Sequence, residues 1–320
     1  MRSGTQEAEH EITVRAPAET VYRLLADVAS WPRIFPPTVH VDHLERSDTD
    51  ETIRIWATAN GEAKSWVSHR TLRPEERRID FAQRVSTPPV AEMSGTWLAE
   101  PAGPGTTRLR LLHHYRAVDD DPEGLAWIDT AVERNSRTEL ASLKTTIEQA
   151  TDTAAGLTLS FTDTVWIDGS AKDVYDFINE ADRWTERLPH VDRVGLTEDV
   201  PGLQVLEMDT RAKDGSTHTT KSVRVCFPHH LIVYKQSTLP VLLTLHTGYW
   251  DIEETDDGVR ATAEHTVVLN PDTITQVLGA GAGPAKARAF VRDALGTNSR
   301  ATLGHAKDHA ERRNRPCPPP

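Results

Sequence analysis

One plan of residues occurs twice along this chain, and that recurrence limits what it can fold into. Glu11-Ile12-Thr13-Val14-Arg15-Ala16-Pro17-Ala18-Glu19-Thr20-Val21-Tyr22 is answered about 153 positions later by Thr164-Val165-Trp166-Ile167-Asp168-Gly169-Ser170-Ala171-Lys172-Asp173-Val174-Tyr175. At the same offset Trp31, Pro36, Gln83 and Trp97 match Trp184, Pro189, Gln236 and Trp250. With one residue of slip Arg70 matches Arg224, and with a longer slip Asn135-Ser136-Arg137 matches Asn298-Ser299-Arg300. The chain has 8 tryptophans in 320 residues, so two pairs in register point to a tandem duplication with diverged halves. That length suits about two domains of roughly 150 residues. The expected division is 1–152 and 153–313, with the boundary around Ala150–Leu157, where Thr, Asp, Ala and Gly replace a helical pattern. Extra length in the second half falls in Gly279–Pro284, a flexible insertion. From Arg312 onward, and at 314–320 above all, a Pro-rich tail is expected to be disordered.

Each half repeats one order of elements. A short strand (Glu11–Arg15) leads into a helix (Ala18–Ala29) whose Val21, Leu24, Leu25 and Val28 have helical spacing. Period-2 segments follow at Val39–Arg46, Thr52–Ala59, Ala63–Leu72, Arg78–Val85, Met93–Glu100 and Thr106–Arg116. Asn60-Gly61 and Asp214-Gly215 signal tight hairpins. A long helix closes each half, Glu123–Gln149 and about Lys286–Arg313, the first with Leu125, Ile128, Val132, Leu140, Leu143 and Ile147 along one stripe. Six or seven antiparallel strands followed by one long helix give an α+β architecture in which the sheet buries its apolar face against the helix. Where such a sheet curls, a cavity can open between the two.

Charge and composition remove several function classes. Lys and Arg number 36 against 48 Asp and Glu, a formal charge of −12 that disfavours nucleic acid as a partner. No stretch approaches the ~20 apolar residues of a membrane span, and Met1–His10 lacks a signal-peptide core, so the expected location is the cytoplasm. Cys226 and Cys317 cannot form a disulfide framework or a Cys-based zinc site. His113-His114 and His229-His230 each point to opposite faces of a strand, so no metal reading stands. His114 and His265 fall near one another in the repeat and read as satisfied structural histidines. Phosphate loops, nucleophile elbows and a reactive-Cys context are missing.

The informative strand is Trp66-Val67-Ser68-His69-Arg70. Alternation puts Trp66, Ser68 and Arg70 on one face and Val67 and His69 on the other. An indole, a hydroxyl and a guanidinium together make a poor core but a sensible wall for a flat ligand rich in carbonyls. The same pattern also fits a solvent-facing strand with Arg70 in an ion pair, and tryptophans are often plain core. The second copy carries Thr220, Ser222 and Arg224 on the matching face and has no Trp there.

With Ser30-Trp31-Pro32, Trp66-Val67-Ser68-His69-Arg70, Gly95-Thr96-Trp97 and Glu133-Arg134-Asn135-Ser136-Arg137, the chain resembles the polyketide aromatase/cyclase family of the helix-grip (START, Bet v 1-like) superfamily. The tandem plan is similar to its di-domain branch in bacterial type II polyketide synthases. The resemblance implies tandem helix-grip domains and a cofactor-independent cyclase/dehydratase. Its substrate would be a poly-β-ketone on an acyl carrier protein, with other synthase components as partners. The first ring would close by a regiospecific aldol reaction, between C7 and C12 of a ketoreduced chain, and then lose water to become aromatic. The resemblance implies Arg70 and Ser68 as catalytic residues, and Trp31, Trp66, Arg84, Trp97 and Asn135 as substrate-binding. It implies Trp184, Ser222, Arg224, Trp250 and Asn298 as the second-domain pocket, where Gln236-Ser237 replaces the counterpart of Arg84. A pocket tyrosine of single-domain relatives has no counterpart near Thr38. The first half keeps more of this set and is expected to do the chemistry. The rival reading is a non-catalytic helix-grip carrier of a lipid or quinone, from which Arg70 beside Ser68 would set this chain apart, since an unpaired guanidinium in an apolar pocket is costly.

Overall fold

A computed structural model describes residues 5–151, 156–211, 215 and 217–314. The chain divides into two compact units, Met1–Thr153 and Ala154–Pro320. The first consists of β1 (Gln6–Val14), α1 (Ala18–Ala26), α2 (Trp31–Ile34), β2 (Thr38–Arg46), β3 (Asp50–Ala59), β4 (Glu62–Arg73), β5 (Arg78–Val85), β6 (Val90–Gly103), β7 (Thr106–Ala117) and α3 (Pro122–Thr151). The second repeats the order with β8 (Thr158–Ile167), α4 (Ala171–Asn179), α5 (Trp184–Arg187), β9 (Val191–Val200), β10 (Leu203–Arg211), β11 (Thr217–Phe227), β12 (Leu231–Thr238), β13 (Leu243–Thr255) and β14 (Gly258–Leu269). It then adds α6 (Ile274–Leu278) before the closing helix α7 (Pro284–Asn314).

Each unit has one seven-stranded antiparallel sheet, ordered β1-β7-β6-β5-β4-β3-β2 in the first and β8-β14-β13-β12-β11-β10-β9 in the second. These are tandem helix-grip domains of the α+β class. Strands follow one another as hairpins, except that the opening strand pairs with the last, because the helical connection carries the chain across the sheet before it returns. The opening strand starts earlier than alternation suggested, at Gln6 rather than Glu11, because β7 offers it partners up to Tyr115. The expected Ala18–Ala29 helix stops at Ala26, and a 3-10 turn at Val28–Ser30 leads into α2. Asn60 and Gly61, at φ 52° and 84°, form the two-residue turn between β3 and β4. Asp214 of the other hairpin signal lies outside the described residues, as do 152–155 of the boundary segment and 315–320 of the tail. The expectation of disorder from Arg312 is corrected, since α7 continues through Asn314 and Arg313 pairs with Asp173 at 2.7 Å.

The first core joins Val21, Leu25, Ile53, Ile79, Trp97, Leu109 and Leu111 to Leu140, Leu143 and Ile147 of α3. The helical stripe is interrupted between Val132 and Leu140 by Asn135, Ser136 and Glu139. There the helix stands over a space that apolar side chains do not fill.

Candidate active site

That space is a cavity of about 180 Å³ in the first unit. Its sheet wall includes Lys64, Trp66, Ser68 and Arg70 from β4, Phe81 and Gln83 from β5, Met93 and Trp97 from β6, and Leu111 and His113 from β7. Trp31 and Phe35 close one end, and α3 supplies Ile128, Val132, Asn135, Ser136 and Glu139 at helical spacing. Trp31, Trp66, Ser68, Arg70, Trp97 and Asn135 are therefore brought together as expected. Arg84 is not. It is exposed on the opposite face of β5, because alternation that sends Phe81 and Gln83 inward must send Arg84 outward.

Arg70 is only 2% exposed and its guanidinium is committed on two sides. Nη1 donates to Oε1 of Glu51 at 2.5 Å, and Nη2 donates to the Leu25 carbonyl at 2.7 Å. The Leu25 carbonyl lies in the last turn of α1, where helical C=O groups lack intrahelical donors, so Arg70 also caps that helix. The indole of Trp31 donates to the same carbonyl at 3.2 Å, and the guanidinium lies 4.9 Å from the indole centroid. Burial pulls the Arg70 guanidinium down to about 10, with Glu51 opposing, so it stays charged at neutral pH. Glu51, itself 2% exposed, escaped the sequence reading although a signal existed. A two-residue turn at Asn60-Gly61 sets Ala59 opposite Glu62 and, counting outward, Glu51 opposite Arg70.

Two groups that do border the cavity also went unrecognised. Glu139 borders the cavity one helical turn beyond Asn135, and the surrounding protein alone pushes its carboxyl up to about 8. Its signal was the polar break in an otherwise apolar helical stripe. His113 sits opposite Gly95, and burial pulls its imidazole down to about 3, leaving it neutral. Its ring meets Phe81 edge-on at 5.5 Å. Strand register makes His113, rather than His114, the counterpart of His265, since Gly95 and Gly248 pair with them in turn. Asn135 donates from Nδ2 to the Thr58 carbonyl at 3.2 Å, which leaves Oδ1 to accept from a ligand. The Ser68 hydroxyl donates to the Ala82 carbonyl at a long 3.4 Å. Phe35 stacks near Trp97 at 6.1 Å and meets Trp31 edge-on at 5.4 Å, giving a flat apolar end wall.

In the second unit Trp184, Ser222, Arg224 and Trp250 are buried, while Asn298 is half-buried on α7. Arg224 repeats the helix cap, donating to the Ile178 carbonyl at 2.8 Å with its guanidinium 5.4 Å from the Trp184 centroid. The carboxylate is not repeated, for Gln204 stands where Glu51 does. Among the described residues no group of three or more His, Cys, Asp or Glu is placed to hold a metal ion.

The family model described as polyketide cyclase / dehydrase and lipid transport matches the chain twice, over residues 5–148 and 158–311. A granaticin polyketide synthase bifunctional cyclase/dehydratase from Streptomyces virginiae is 53% identical over 297 residues, covering 93% of this chain and 97% of its own. An actinorhodin polyketide synthase bifunctional cyclase/dehydratase from Streptomyces coelicolor is 42% identical over 315 residues, covering 95% and 97%. Among solved structures, the di-domain ARO/CYC BexL of the BE-7585A biosynthetic pathway shares 68% identity at a TM-score of 0.86, with 97% of this chain and 100% of that one covered.

Proposed function

The chain belongs to the polyketide cyclase/dehydrase family, and from that premise we propose that its first unit closes and dehydrates a ring in a poly-β-ketone. The chain is presented by an acyl carrier protein within a type II polyketide synthase. In keeping with the di-domain pattern, the substrate is a once-reduced chain and the bond joins C7 to C12.

The observation that carries this reading is a lone carboxyl, Glu139, in a flat aromatic cavity whose buried guanidinium, Arg70, is already paired with Glu51. A flexible poly-β-ketone has many possible closures, and holding one folded conformer supplies much of the rate. Trp31, Phe35, Trp66 and Trp97 give that conformer planar walls. The N–H groups that Arg70 does not use on Glu51 and Leu25 face ketone oxygens and stabilise the negative charge that develops there. Glu139 moves the protons. As carboxylate it takes one from the methylene between two ketones, and the enolate carbon attacks the target carbonyl. The new alkoxide then recovers that proton from the carboxyl. For dehydration the carboxylate takes a second ring proton, whose electron pair becomes the double bond. The hydroxyl leaves with the proton returned from Glu139 as water. Both cycles restore the carboxylate, and a carboxyl near 8 exchanges protons readily in either direction near neutral pH. Asn135 Oδ1 accepts from the hydroxyl made by the earlier reduction.

A dry carrier of lipid or quinone gains nothing from a partnerless carboxyl, which only opposes apolar filling. The test is reconstitution with a minimal synthase and ketoreductase, followed by product analysis. The wild type gives the C7–C12 aromatic ring, and Glu139→Gln leaves unaromatised shunt products. A wild type that binds the chain but leaves the spontaneous product mixture unchanged overturns the reading.

A further inference from the structure

The two units differ along one row of residues that crosses the sheet on its inner face. In the first unit the row runs Glu51, Arg70, Phe81, Gly95, His113, each opposite the next in strand register. In the second it runs Gln204, Arg224, Tyr234, Gly248, His265. Arg70, Phe81 and His113 border the first cavity, so the second row occupies the equivalent ground. Two changes make that ground more polar and more positive. Gln204 removes the carboxylate that neutralises Arg70 in the first unit, and Tyr234 adds a hydroxyl where Phe81 has none. A third comes from His246, two residues before Gly248 on the same face.

These groups are only partly satisfied. The Tyr234 hydroxyl lies 2.8 Å from His265 Nδ1 and 3.3 Å from His246 Nε2. Arg224 Nη1, Gln204 Oε1, His246 Nδ1 and His265 Nε2 are buried with no hydrogen-bond partner in the protein. Arg224, His246 and His265 are 2%, 3% and 6% exposed. Glu198, whose charge acts on Arg224, accepts from Gln204 Nε2 at 2.7 Å rather than from Arg224. Buried polar atoms without partners are rare enough to need an explanation, and a buried cation without a direct ion pair needs one most.

We propose that the second unit is a binding site for an anionic oxygen on a planar ring, an enolate or phenolate, held on Arg224 Nη1 with its hydroxyl neighbours on the Tyr234–His246–His265 cluster. Burial leaves both imidazoles neutral, with His265 pulled down to about 4, so the cluster adds no competing positive charge. The first unit, whose Arg70–Glu51 pair is neutral overall, suits uncharged ketones instead. Resting on the reading of the first unit, this places the second after it, taking the acidic hydroxyaromatic ring that dehydration creates.

Alizarin (1,2-dihydroxyanthraquinone) changes colour when a phenol ionises and serves as the probe on the full chain. The wild type should bind it as the phenolate, with the ionisation midpoint of bound dye lowered by at least about one pH unit. Arg224→Met and Gln204→Glu should each weaken that binding at least tenfold and abolish the midpoint shift. Gln204→Glu recreates the arrangement at Glu51, so it keeps the test open should Arg224→Met fail to fold. Failure of the wild type to bind dye, or ionised-dye binding that survives both variants, overturns the proposal. Because no turnover is measured, neither outcome depends on whether the first unit cyclises a polyketide.

Discussion

Arg70 illustrates why a single side chain must be weighed in more than one role. It faces the cavity, yet it also caps α1 through Leu25 and neutralises Glu51, so Arg70→Ala leaves a buried carboxylate with only His43 beside it and uncaps a helix terminus. Breaking such a pair from one side costs about 3–5 kcal/mol. We expect Arg70→Ala to lower the urea midpoint of the first unit substantially, and lost activity in that variant cannot by itself assign a catalytic role. Glu139→Gln behaves oppositely. The folded carboxyl sits at about 8 against an ordinary 4.5, so its proton is held more tightly in the folded state. The linked stability is full below about pH 4.5 and is lost as pH rises toward 8. At pH 7 the Gln variant should therefore be more stable by about 1–3 kcal/mol in urea denaturation while losing turnover. A variant less stable than the wild type at pH 7 would show that the carboxyl is structurally paired.

At the scale of elements, close approach rather than chemistry fixes one glycine. A Cβ on Gly95 would lie 2.0 Å from the Leu112 carbonyl oxygen and 2.4 Å from Phe81 Cζ. Gly95→Ala must part β6 from β7 or drive the Phe81 ring into the cavity, at a cost of about 1–3 kcal/mol measurable by thermal denaturation. An unchanged melting temperature would contradict that packing. Much of the strand plan was legible, since alternation and the Asn60-Gly61 turn are local signals. The inward face of β4 was legible too, because Trp66, Ser68 and Arg70 stand two apart. Glu51 was not recognised because its partner lies across a hairpin, although the turn signal fixed the register. Glu139 was missed because one acidic residue on a 30-residue helix means little until the sheet opposite is known to leave room. Arg84 followed from family resemblance alone, and simple alternation from Gln83 would have placed it outside.

For the whole molecule the titrating groups give a shared prediction. Burial holds His113 at about 3 and His265 at about 4, and depresses His246 strongly, whereas all three titrate near 6.5 when unfolded. Their folded pKa values are lowered, so the unfolded chain binds more protons below about pH 6.5 and stability falls as pH drops toward 4. The urea midpoint of the second unit, which holds His246 and His265, should fall between pH 7.5 and pH 5, whereas in the first unit Glu139 opposes His113; a second-unit midpoint insensitive to pH over that range would contradict it. The duplicated plan was visible from tryptophan spacing, and the fuller pocket set already pointed to the first half for the chemistry; the role proposed for the second unit was not visible, because it rests on a Glu-to-Gln difference and a Phe-to-Tyr difference in one cross-strand row.

Everything returns to a carboxyl that carries protons inside the first cavity. The pH dependence of aromatised product formed from the carrier-bound chain, compared between wild type and Glu139→Gln, tests this most directly. The wild-type rate should rise with pH and level off near 8, where the carboxylate form is reached, while the Gln variant should be at least about a hundredfold slower and flat. A Gln variant that matches the wild-type rate and profile would contradict the account.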